Sequence, residues 1–316
     1  MTDDSDREFN PSVPRGAHGK GKFGHVSVLL KPAIDFLAVQ RGGTYLDATV
    51  GLGGHSFEIA KRLGAQAHLI GFDKDTKALE LARRRLLEPP EEMRSDWPSV
   101  TLVHASYAEV ATRVQAGSLN GLLADLGVSS MQFEDPVRGF SFQAEGPLDM
   151  RMNPLAELTA DQVVNQFDEK TLADLIYEFG EERRSRRIAR AIVRARPIRT
   201  TAHLAQVVSA AARPMNPRIH PATLTFQALR IFVNRELEDL KALLDAAAKV
   251  LKKEGTLVVI SFHSLEDRIV KDVLRDGARE GTWEVLTRKP VTADEEEIAG
   301  NPRSRSAKMR AARRAD

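Results

Sequence analysis

Glycines and carboxylates recur in this 316-residue chain at spacings that suit the binding of a nucleotide-like ligand. The first motif, Asp47-x-x-x-Gly51-x-Gly53-Gly54, lies between a β-rich run and an amphipathic stretch. Glycines at such a turn let the backbone approach a ligand closely, and the N-terminus of the following helix favours negative charge. Asp73 ends the next apolar run, where its carboxylate can accept hydrogen bonds from ribose hydroxyls. The two features predict a site for an adenosine-containing cofactor.

Two adenosine cofactors, a nicotinamide dinucleotide and S-adenosylmethionine, compete for this site. The motif departs from the dinucleotide fingerprint G-x-G-x-x-G because Ser56 occupies the third glycine position. His55 follows the glycines, whereas a pyrophosphate requires a bare helix N-terminus. The three tyrosines are followed four residues later by Thr49, Ala111 and Glu181, so none begins the Tyr-x-x-x-Lys motif of short-chain dehydrogenases. These departures favour S-adenosylmethionine.

Asp125 begins the string DLGVSSMQ at the end of a further short apolar run. The carboxyl ends of strands line the ligand crevice of an open α/β sheet, so we predict a catalytic role for Asp125 rather than a packing role. Ser129 is not predicted to be a nucleophile, because the segment lacks the second glycine of G-x-S-x-G. The eight histidines show no compact ligand spacing, and no metal is predicted.

Positive charge is concentrated in two segments although the formal net charge is only +2. Residues 183–199 contain eight arginines and no acid, and residues 301–316 contain six cations. Such segregation predicts a surface that faces a polyanion, with nucleic acid as the first candidate. A solvated helix face and a disordered tail are the alternatives. The predicted RNA-binding residues are Arg183, Arg187, Arg190 and Arg194 on one helix face, and Arg303, Arg305 and Lys308 near the C-terminus.

Alternating short strands and helices must position these residues. Strands are predicted at residues 44–50, 67–72, 100–104, 121–126 and 256–262, and helices at residues 56–63, 76–87 and 237–251, the last capped by Gly255. Short apolar strands are typical of a parallel sheet buried on both faces, so the predicted fold class is α/β. About 130 residues separate the fourth and fifth strands, far more than one crossover helix needs. We therefore predict an inserted domain with helices at residues 160–167, 169–179 and 182–195.

Composition narrows the class of protein. Apolar residues make up 42% of the chain and charged residues 28%, which is ordinary for a globular protein. The absence of cysteine excludes disulfides, thiolate metal sites and cysteine nucleophiles. The N-terminus is polar, unlike a secretory signal, and no window approaches 18 uninterrupted apolar residues. A cytoplasmic protein without a membrane span is expected.

Longer strings resemble a known family, the bacterial methyltransferases that modify N4 of a decoding-centre cytosine in 16S ribosomal RNA. The likeness runs from His25 to Arg310. The strings are DATVGLGGHS (47–56), DLGVSSMQ (125–132), RGFSF (138–142), GPLDMRM (146–152), RIARAIV (187–193), HPATLTFQALRIFVN (220–234), SFHSLEDRIVK (261–271) and NPRSRSAKMR (301–310). The resemblance implies a Rossmann-like methyltransferase sheet with an inserted, mainly helical domain. It also implies 16S rRNA within the assembled small ribosomal subunit as the partner, and a homodimer is left open.

The resemblance assigns roles to individual residues. The implied contacts with S-adenosylmethionine are Gly53, Gly54, His55, Asp73, Tyr107, Asp125 and Gln132. Many enzymes that methylate an exocyclic amino group have Asp/Asn-Pro-Pro-aromatic where this chain has DLGV at residues 125–128. The aromatic residue that stacks on the target base must therefore come from elsewhere, and Phe140 and Phe142 are both candidates. The family usually has Pro or Thr in place of Ser27, and Tyr in place of Phe179.

Four parts make up the predicted domain organisation. Residues 1–24 are a flexible tail, and residues 25–133 and 222–300 form the methyltransferase domain. Residues 134–221 form the inserted helical RNA-recognition domain, and residues 301–316 a basic C-terminal tail. Two other functions compete with methyl transfer: a non-catalytic ribosome-assembly factor, and a nicotinamide-dependent oxidoreductase. The glycines with Asp73 and Asp125 argue against the first, and the arginine-rich helix argues against the second.

Overall fold

The computed structural model describes residues 27–212 and 220–315, so the tail predicted at residues 1–24 lies outside the described residues. The first part of the chain forms α1 (Leu30–Leu37), β1 (Thr44–Asp47), α2 (Gly54–Leu63), β2 (His68–Asp73), α3 (Thr76–Leu87), β3 (Ser99–His104), α4 (Val110–Arg113), β4 (Leu119–Asp125) and α5 (Ser130–Glu134). Helices follow: α6 (Ala160–Gln166), α7 (Glu169–Gly180), α8 (Ser185–Ala195), α9 (Thr201–Ala211), α10 (Thr223–Asn234) and α11 (Glu236–Val250). The chain ends with β5 (Leu251–Ser261), α12 (Ser264–Arg279), β6 (Trp283–Val285), α13 (Glu295–Gly300) and β7 (Lys308–Arg314).

Seven strands form one sheet in the order β3-β2-β1-β4-β5-β7-β6. Strands β1 to β5 pair in parallel, whereas β7 runs antiparallel to both β5 and β6. Alternate residues of a strand point to opposite faces, so Leu122 packs with α11 and α12 while Leu123 packs with α1 and α2. The predicted α/β class is confirmed. The strand order reverses between β1 and β4, the place where a ligand crevice is expected.

The five predicted strands are all present, and the helix predicted at residues 76–87 is α3, which Asp75 caps by accepting the N–H of Lys77. The predicted helix cap at Gly255 is wrong. Helix α11 ends at Val250 and β5 begins at the next residue, so Gly255 lies inside a strand. A Cβ at this glycine would lie 2.8 Å from the carbonyl oxygen of Lys252, and the pairing register shifts nearby. The glycine therefore serves a close backbone approach at an irregularity of β5.

The C-terminal segment is part of the sheet, so the predicted basic tail at residues 301–316 is wrong for the residues described. Residues Pro302–Ser306 form a 3₁₀ helix and β7 follows, placed between β5 and β6. Met309 and Ala311 are fully buried, and Arg310 forms a 2.6 Å ion pair with Asp267. Alternating small and charged residues looked like a solvated tail in sequence. In the fold the small residues fit a buried strand, and Asp267 of α12 neutralises the charge of Arg310.

Helices α6 to α10 build a second apolar core. No described residue of the segment 134–221 belongs to one of the seven strands, as the sequence predicted. The core also includes Phe226, Leu229 and Val233 of α10, which lies beyond residue 221. The predicted boundary at residues 221 and 222 therefore cuts through this helical layer, because the apolar face of α10 packs on α7 rather than on the sheet. Among the described residues, no helix has the length and apolar character that crossing a membrane requires.

Buried polar contacts join the helical layer to the sheet. Arg138 forms a 2.5 Å ion pair with Asp75, and its guanidinium also donates to the carbonyl oxygens of Arg151 and Met152. Asn234, in the last turn of α10, accepts from the backbone N–H of Met152 and donates to the carbonyl oxygen of Met150. These contacts cross between distant parts of the chain. They hold the loop at residues 150–152 against the edge of the sheet.

We predict that Arg138→Met destabilises the protein strongly, by about 3 to 5 kcal/mol, because the substitution leaves the buried carboxylate of Asp75 without its cation. Urea unfolding followed by circular dichroism measures the change. Arg62→Met is the matched control, since Arg62 pairs with Glu58 on the exposed surface of α2, and about 1 kcal/mol or less is expected there. Equal losses in the two variants would contradict the anchoring role of Arg138.

Candidate active site

A cavity opens at the carboxyl ends of β1, β2, β4 and β5 and encloses about 900 Å³, including the space at its mouth. It lies at the reversal of strand order, where α/β sheets bind ligands. Six of the seven predicted cofactor residues line it: Gly54, His55, Asp73, Tyr107, Asp125 and Gln132. The structure therefore brings together side chains from positions 54 to 132 of the sequence around one space.

Gly53 is the exception among the predicted cofactor residues. It caps α2 with a φ of 76°, in the left-handed region that favours glycine, and it does not line the cavity. A Cβ at this position would lie 3.6 Å from Ala82 of α3, so the residue faces a helix. Gly54 is needed for space, because a Cβ there would lie 1.9 Å from the hydroxyl oxygen of Ser27. Gly53 thus leaves room for α3, and Gly54 leaves room for Ser27.

Asp73 shapes the loop after β1 and also faces the cavity. Its Oδ2 accepts the backbone N–H of Gly51 at 2.7 Å, and its Oδ1 accepts the N–H of Asp75 at 2.8 Å. Each carboxylate oxygen has a further lone pair for a ligand hydroxyl. Burial raises the pKa of Asp73 to about 6, with the nearby carboxylates Asp75 and Asp47 acting in the same direction. The geometry suits the predicted contact with ribose hydroxyls.

Asp125 lines the same cavity, and one of its carboxylate oxygens is unpaired. Its backbone N–H donates to Oγ1 of Thr49 at 2.7 Å, and its Oδ2 lies 3.6 Å from Nδ1 of His55. Its Oδ1 is buried and has no hydrogen-bond partner among the described residues. Burial raises the pKa of Asp125 well above its usual range, Asp47 adds to the effect, and Arg303 opposes it. An N–H donor from a ligand would complete this oxygen.

Gln132 and Tyr107 contribute to the wall in different ways. The amide of Gln132 is used within the protein, because its oxygen accepts the N–H of Ser129 and its nitrogen donates to Asp75. Gln132 therefore fixes the loop after β4 beside the cavity. Tyr107 offers an aromatic ring, over which Nζ of Lys74 lies at 5.4 Å from the centroid. This ring gives the wall a flat apolar surface.

Neither aromatic candidate for stacking on a base reaches the cavity. Phe140 is 5% exposed within the helical core, and Phe142 stacks on His220 at 4.5 Å between ring centroids. Phe262 and Met152 line the cavity instead, and neither was predicted from the sequence. Phe262 could have been predicted, because it comes directly after the last residue of β5, just as Asp125 is the last residue of β4. Met152 offered none, because only the contacts of its loop with Arg138 and Asn234 bring it there.

The predicted basic residues lie in two different settings. The first four, Arg183, Arg187, Arg190 and Arg194, are all exposed, and α8 buries its opposite, apolar side in the helical core. Arg183 precedes α8, which begins at Ser185, and Arg190 forms an exposed ion pair with Glu169. Of the C-terminal three, Arg305 is exposed, Lys308 pairs with Asp267, and Arg303 lines the cavity.

A cluster of charged side chains lies next to Phe262, one of the residues that line the cavity. Glu236 accepts both arms of the Arg230 guanidinium at 2.9 Å, and Glu266 lies 3.3 Å from His263. Glu266 also accepts the backbone N–H of Phe262, which holds that aromatic residue at the cavity. Ligand atoms of Glu236, His263 and Glu266 lie within 4.8 Å of one another, the spacing of a cation site. Arg230 already supplies a positive charge at Glu236, so the cluster is explained by its own ion pairs.

The cavity fits S-adenosylmethionine. Asp73 offers lone pairs for ribose hydroxyls, Tyr107 offers a flat surface, and Asp125 has an unpaired oxygen where the strand order reverses. The helix after Gly51 begins with side chains, including His55, which suits a sulfonium amino acid better than a pyrophosphate.

We expect Asp73→Ala to weaken S-adenosylmethionine binding by about 1.5 to 3 kcal/mol at pH 7.5, through loss of hydrogen bonds to a charged group. Because the pKa of Asp73 is raised to about 6, its carboxylate is ionised at pH 7.5 and mostly protonated at pH 5. The affinity of the parent protein should therefore fall roughly tenfold from pH 7.5 to pH 5. Calorimetry at both pH values measures this. Asp73→Ala should lose this part of the pH dependence, and an unaltered affinity in the variant would remove Asp73 from the site.

Comparison with known proteins identifies the family of this chain. The sequence profile described as the MraW methylase family matches residues 22–315. A protein of Koribacter versatilis named Ribosomal RNA small subunit methyltransferase H is 70% identical over 312 residues, covering 98% of this chain and 99% of that protein. A protein of the same name from Acidobacterium capsulatum is 65% identical over 289 residues, covering 91% and 97%. A solved rRNA methylase from Streptococcus thermophilus is 11% identical with a TM-score of 0.42, covering 92% of this chain and 99% of that one. The chain belongs to the MraW methylase family and is an S-adenosylmethionine-dependent methyltransferase.

Proposed function

We propose that this protein transfers a methyl group to the exocyclic N4 of a cytosine in the decoding centre of 16S rRNA, on assembled small ribosomal subunits. The names of its relatives support a small-subunit rRNA as the substrate. The observation that carries the choice of an amino group is the carboxylate of Asp125, which lines the cofactor cavity and has one buried oxygen without a hydrogen-bond partner among the described residues. A ribosomal substrate also implies that the protein works in the cytoplasm.

The chemistry requires help because the N4 nitrogen is conjugated with the pyrimidine ring. Its lone pair is delocalised and is poorly available for attack. S-adenosylmethionine, when bound, supplies an electrophilic methyl group. Asp125 accepts an N–H from N4, which draws electron density onto the nitrogen and orients its lone pair toward the methyl group. Holding the two reactants in line then supplies most of the acceleration. As the nitrogen–methyl bond forms, the sulfur–methyl bond breaks and leaves a neutral thioether, and the carboxylate of Asp125 takes up the proton that N4 releases.

The protonation state of Asp125 is part of this proposal. An oxygen can accept an N–H only with a free lone pair, and the ionised carboxylate is the stronger acceptor. Burial raises the pKa of Asp125, while Arg303 favours the charged form. A donor placed by the substrate stabilises the carboxylate further. The bound amino group therefore helps to ionise the residue that activates it.

The target base must enter the cavity from folded RNA. Enzymes that modify a base extrude it from its stack, and apolar or aromatic side chains then hold its faces. Phe262 and Met152 provide such a wall near Asp125. The exposed arginines of α8 provide cations for phosphate groups on the surrounding RNA. A non-catalytic assembly factor would need the arginines but not the unpaired acceptor in a cofactor cavity.

The experiment that tests the function uses the parent protein with radiolabelled methyl donor and either free 16S rRNA or assembled 30S subunits. Mass spectrometry of the product nucleosides should show N4-methylcytidine, at a decoding-centre position, with assembled subunits as the better substrate. Methylation at another atom would reject the proposed chemistry. Binding without any methylated product would favour the assembly-factor alternative.

Asp125→Asn should lower the single-turnover rate by about 100-fold or more at saturating donor and 30S subunits. The substitution keeps the size and one acceptor oxygen but removes the charge, and losing one preorganised electrostatic partner typically costs ~2.7 to 4 kcal/mol. Asp35→Asn, in an exposed ion pair of α1, is the control and should retain the parent rate. A rate for Asp125→Asn within threefold of the parent would show that its role is cofactor binding or structure.

Arg190→Gln combined with Arg194→Gln should make binding to the small subunit less dependent on salt. If both residues contact phosphates, the slope of log K against log salt becomes shallower by roughly 1.4 to 1.8. Filter binding at several salt concentrations measures the slope, and S-adenosylmethionine affinity should not change. Arg83→Gln with Arg84→Gln on α3 removes the same charge from another exposed helix surface. Equal slopes in the two double variants would mean that the α8 arginines form an ordinary solvated face.

A further inference from the structure

One cation of the cavity wall comes from the C-terminal segment. Arg303 lies in the 3₁₀ helix before β7, and its side chain lines the same cavity as Asp125 and Phe262. Its backbone is well fixed: Asn301 accepts the N–H of Arg303, and the fully buried Ser304 donates its hydroxyl to the carbonyl oxygen of Asn301. A guanidinium is therefore presented to the site by a rigid turn rather than by a tail.

The guanidinium of Arg303 lies over the ring of Phe133 and has no hydrogen-bond acceptor among the described residues. Its central carbon is 4.8 Å from the ring centroid of Phe133. No described residue accepts a hydrogen bond from its side chain or forms an ion pair with it within 4 Å. Arg138, Arg230 and Arg310, by contrast, are each held by a carboxylate. The contact with Phe133 positions a group whose five N–H donors match the paired oxygens of an anion.

The electrostatics around Arg303 also call for an anion. Its burial lowers its pKa, and Arg230 acts in the same direction, so the site is costly for an uncompensated cation. Glu134 and Asp125 favour its charge, but neither is in hydrogen-bond contact with the guanidinium. A bound anion would supply the missing charge-assisted hydrogen bonds.

The position of Arg303 along the sheet identifies the source of this anion. Asp73, the predicted ribose contact, ends β2, and Asp125 ends β4, two strands further along the sheet. Phe262 and Arg303 belong to the next strands in that direction, β5 and β7, or immediately adjoin them. In the strand order Arg303 therefore lies on the far side of Asp125 from Asp73, and we expect the target base to enter on that side, away from the predicted ribose contact.

We propose that Arg303 binds a phosphate of the target nucleotide and so holds the extruded cytidine against Asp125. This inference rests on the proposed function and adds a specific contact within the catalytic cavity. Phosphate and the carboxylate of the methyl donor share the anionic oxygens that a guanidinium recognises. The placement beyond Asp125 favours the phosphate, and measuring affinity for the donor and for the subunit separately distinguishes the two sources.

The test compares Arg303→Gln, Arg303→Lys and the charge control Arg279→Gln. Arg279 lies in the last turn of α12 with a side chain 73% exposed, and α12 runs from the cavity edge of the sheet back to the opposite edge. Three quantities are measured for each protein: S-adenosylmethionine affinity by calorimetry, the salt slope of 30S binding, and the single-turnover rate with 30S subunits. Thermal unfolding verifies that each variant is folded.

Arg303→Gln should reduce the salt slope by about 0.7 to 0.9, the value for one phosphate contact, and lower the single-turnover rate at least tenfold. Its donor affinity should stay within twofold of the parent. Arg303→Lys should keep the salt slope, because the charge remains, yet turn over more slowly than the parent, because the planar fork is lost. Arg279→Gln should match the parent in all three measurements. If Arg303→Gln unfolds, the Lys variant still tests the proposal through its rate.

Two results would overturn the proposal. A tenfold loss of donor affinity with an unchanged salt slope would assign Arg303 to the donor carboxylate. Parent-like slope and rate in Arg303→Gln, or a parent-like rate in Arg303→Lys, would leave it a purely structural residue. The binding slope does not depend on which atom is methylated. A parent protein that binds 30S subunits through Arg303 but forms no N4-methylcytidine would therefore reject the proposed function and keep the contact.

Discussion

Three carboxylates meet at the carboxyl ends of neighbouring parallel strands, and the site is organised around keeping them there. Asp47 ends β1, Asp73 ends β2 and Asp125 ends β4. Burial raises the pKa of all three, to about 6 for the first two and well above the usual range for Asp125. Asp47 is satisfied by the hydroxyl of Ser56, and Asp73 by backbone N–H groups. Of the three, only Asp125 has a buried oxygen without a hydrogen-bond partner among the described residues.

Two cations near the cavity pair with carboxylates of α11. Lys74 pairs with Asp239 beside the ring of Tyr107, and Arg230 pairs with Glu236 behind the cavity. Arg303 reaches the site because β7 is inserted between β5 and β6. The last strand of the sheet therefore has two functions. It completes the apolar core, and it follows the turn that places the guanidinium of Arg303 in the same cavity as Asp125.

The helical layer takes part in the site through one loop. Met152 lines the cavity, while its backbone N–H and carbonyl groups are held by Asn234 and Arg138. Arg138 is fixed in turn by Asp75, the residue that caps α3 and also receives Gln132. A single buried carboxylate thus connects the sheet, the loop after β4 and the helical layer. Movement of the helical layer would therefore displace Met152 and change the shape of the cavity wall.

Local sequence patterns were enough to predict the parallel strands and the helix from Thr76 to Leu87. They also predicted that Asp73 and Asp125 lie at strand ends. These features follow from local periodicity and capping, which short windows of sequence contain. The longer family strings added the remaining predicted cofactor contacts, of which Gly54, His55, Tyr107 and Gln132 line the cavity. Gly53 does not line it, and spacing alone does not show which side of a turn a glycine faces.

The position of the C-terminal segment and the partners of the charged side chains depend on tertiary contacts. Residues 308–314 look like a basic tail, because their partner strand β5 lies about fifty residues away and no local pattern announces the pairing. Phe140 and Phe142 looked available for stacking until the packing of the helical core used both. Oδ1 of Asp125 and the donors of Arg303 likewise lack partners among the described residues because of which groups folding places around them. Whether a polar atom has a partner depends on groups that folding brings from elsewhere in the chain.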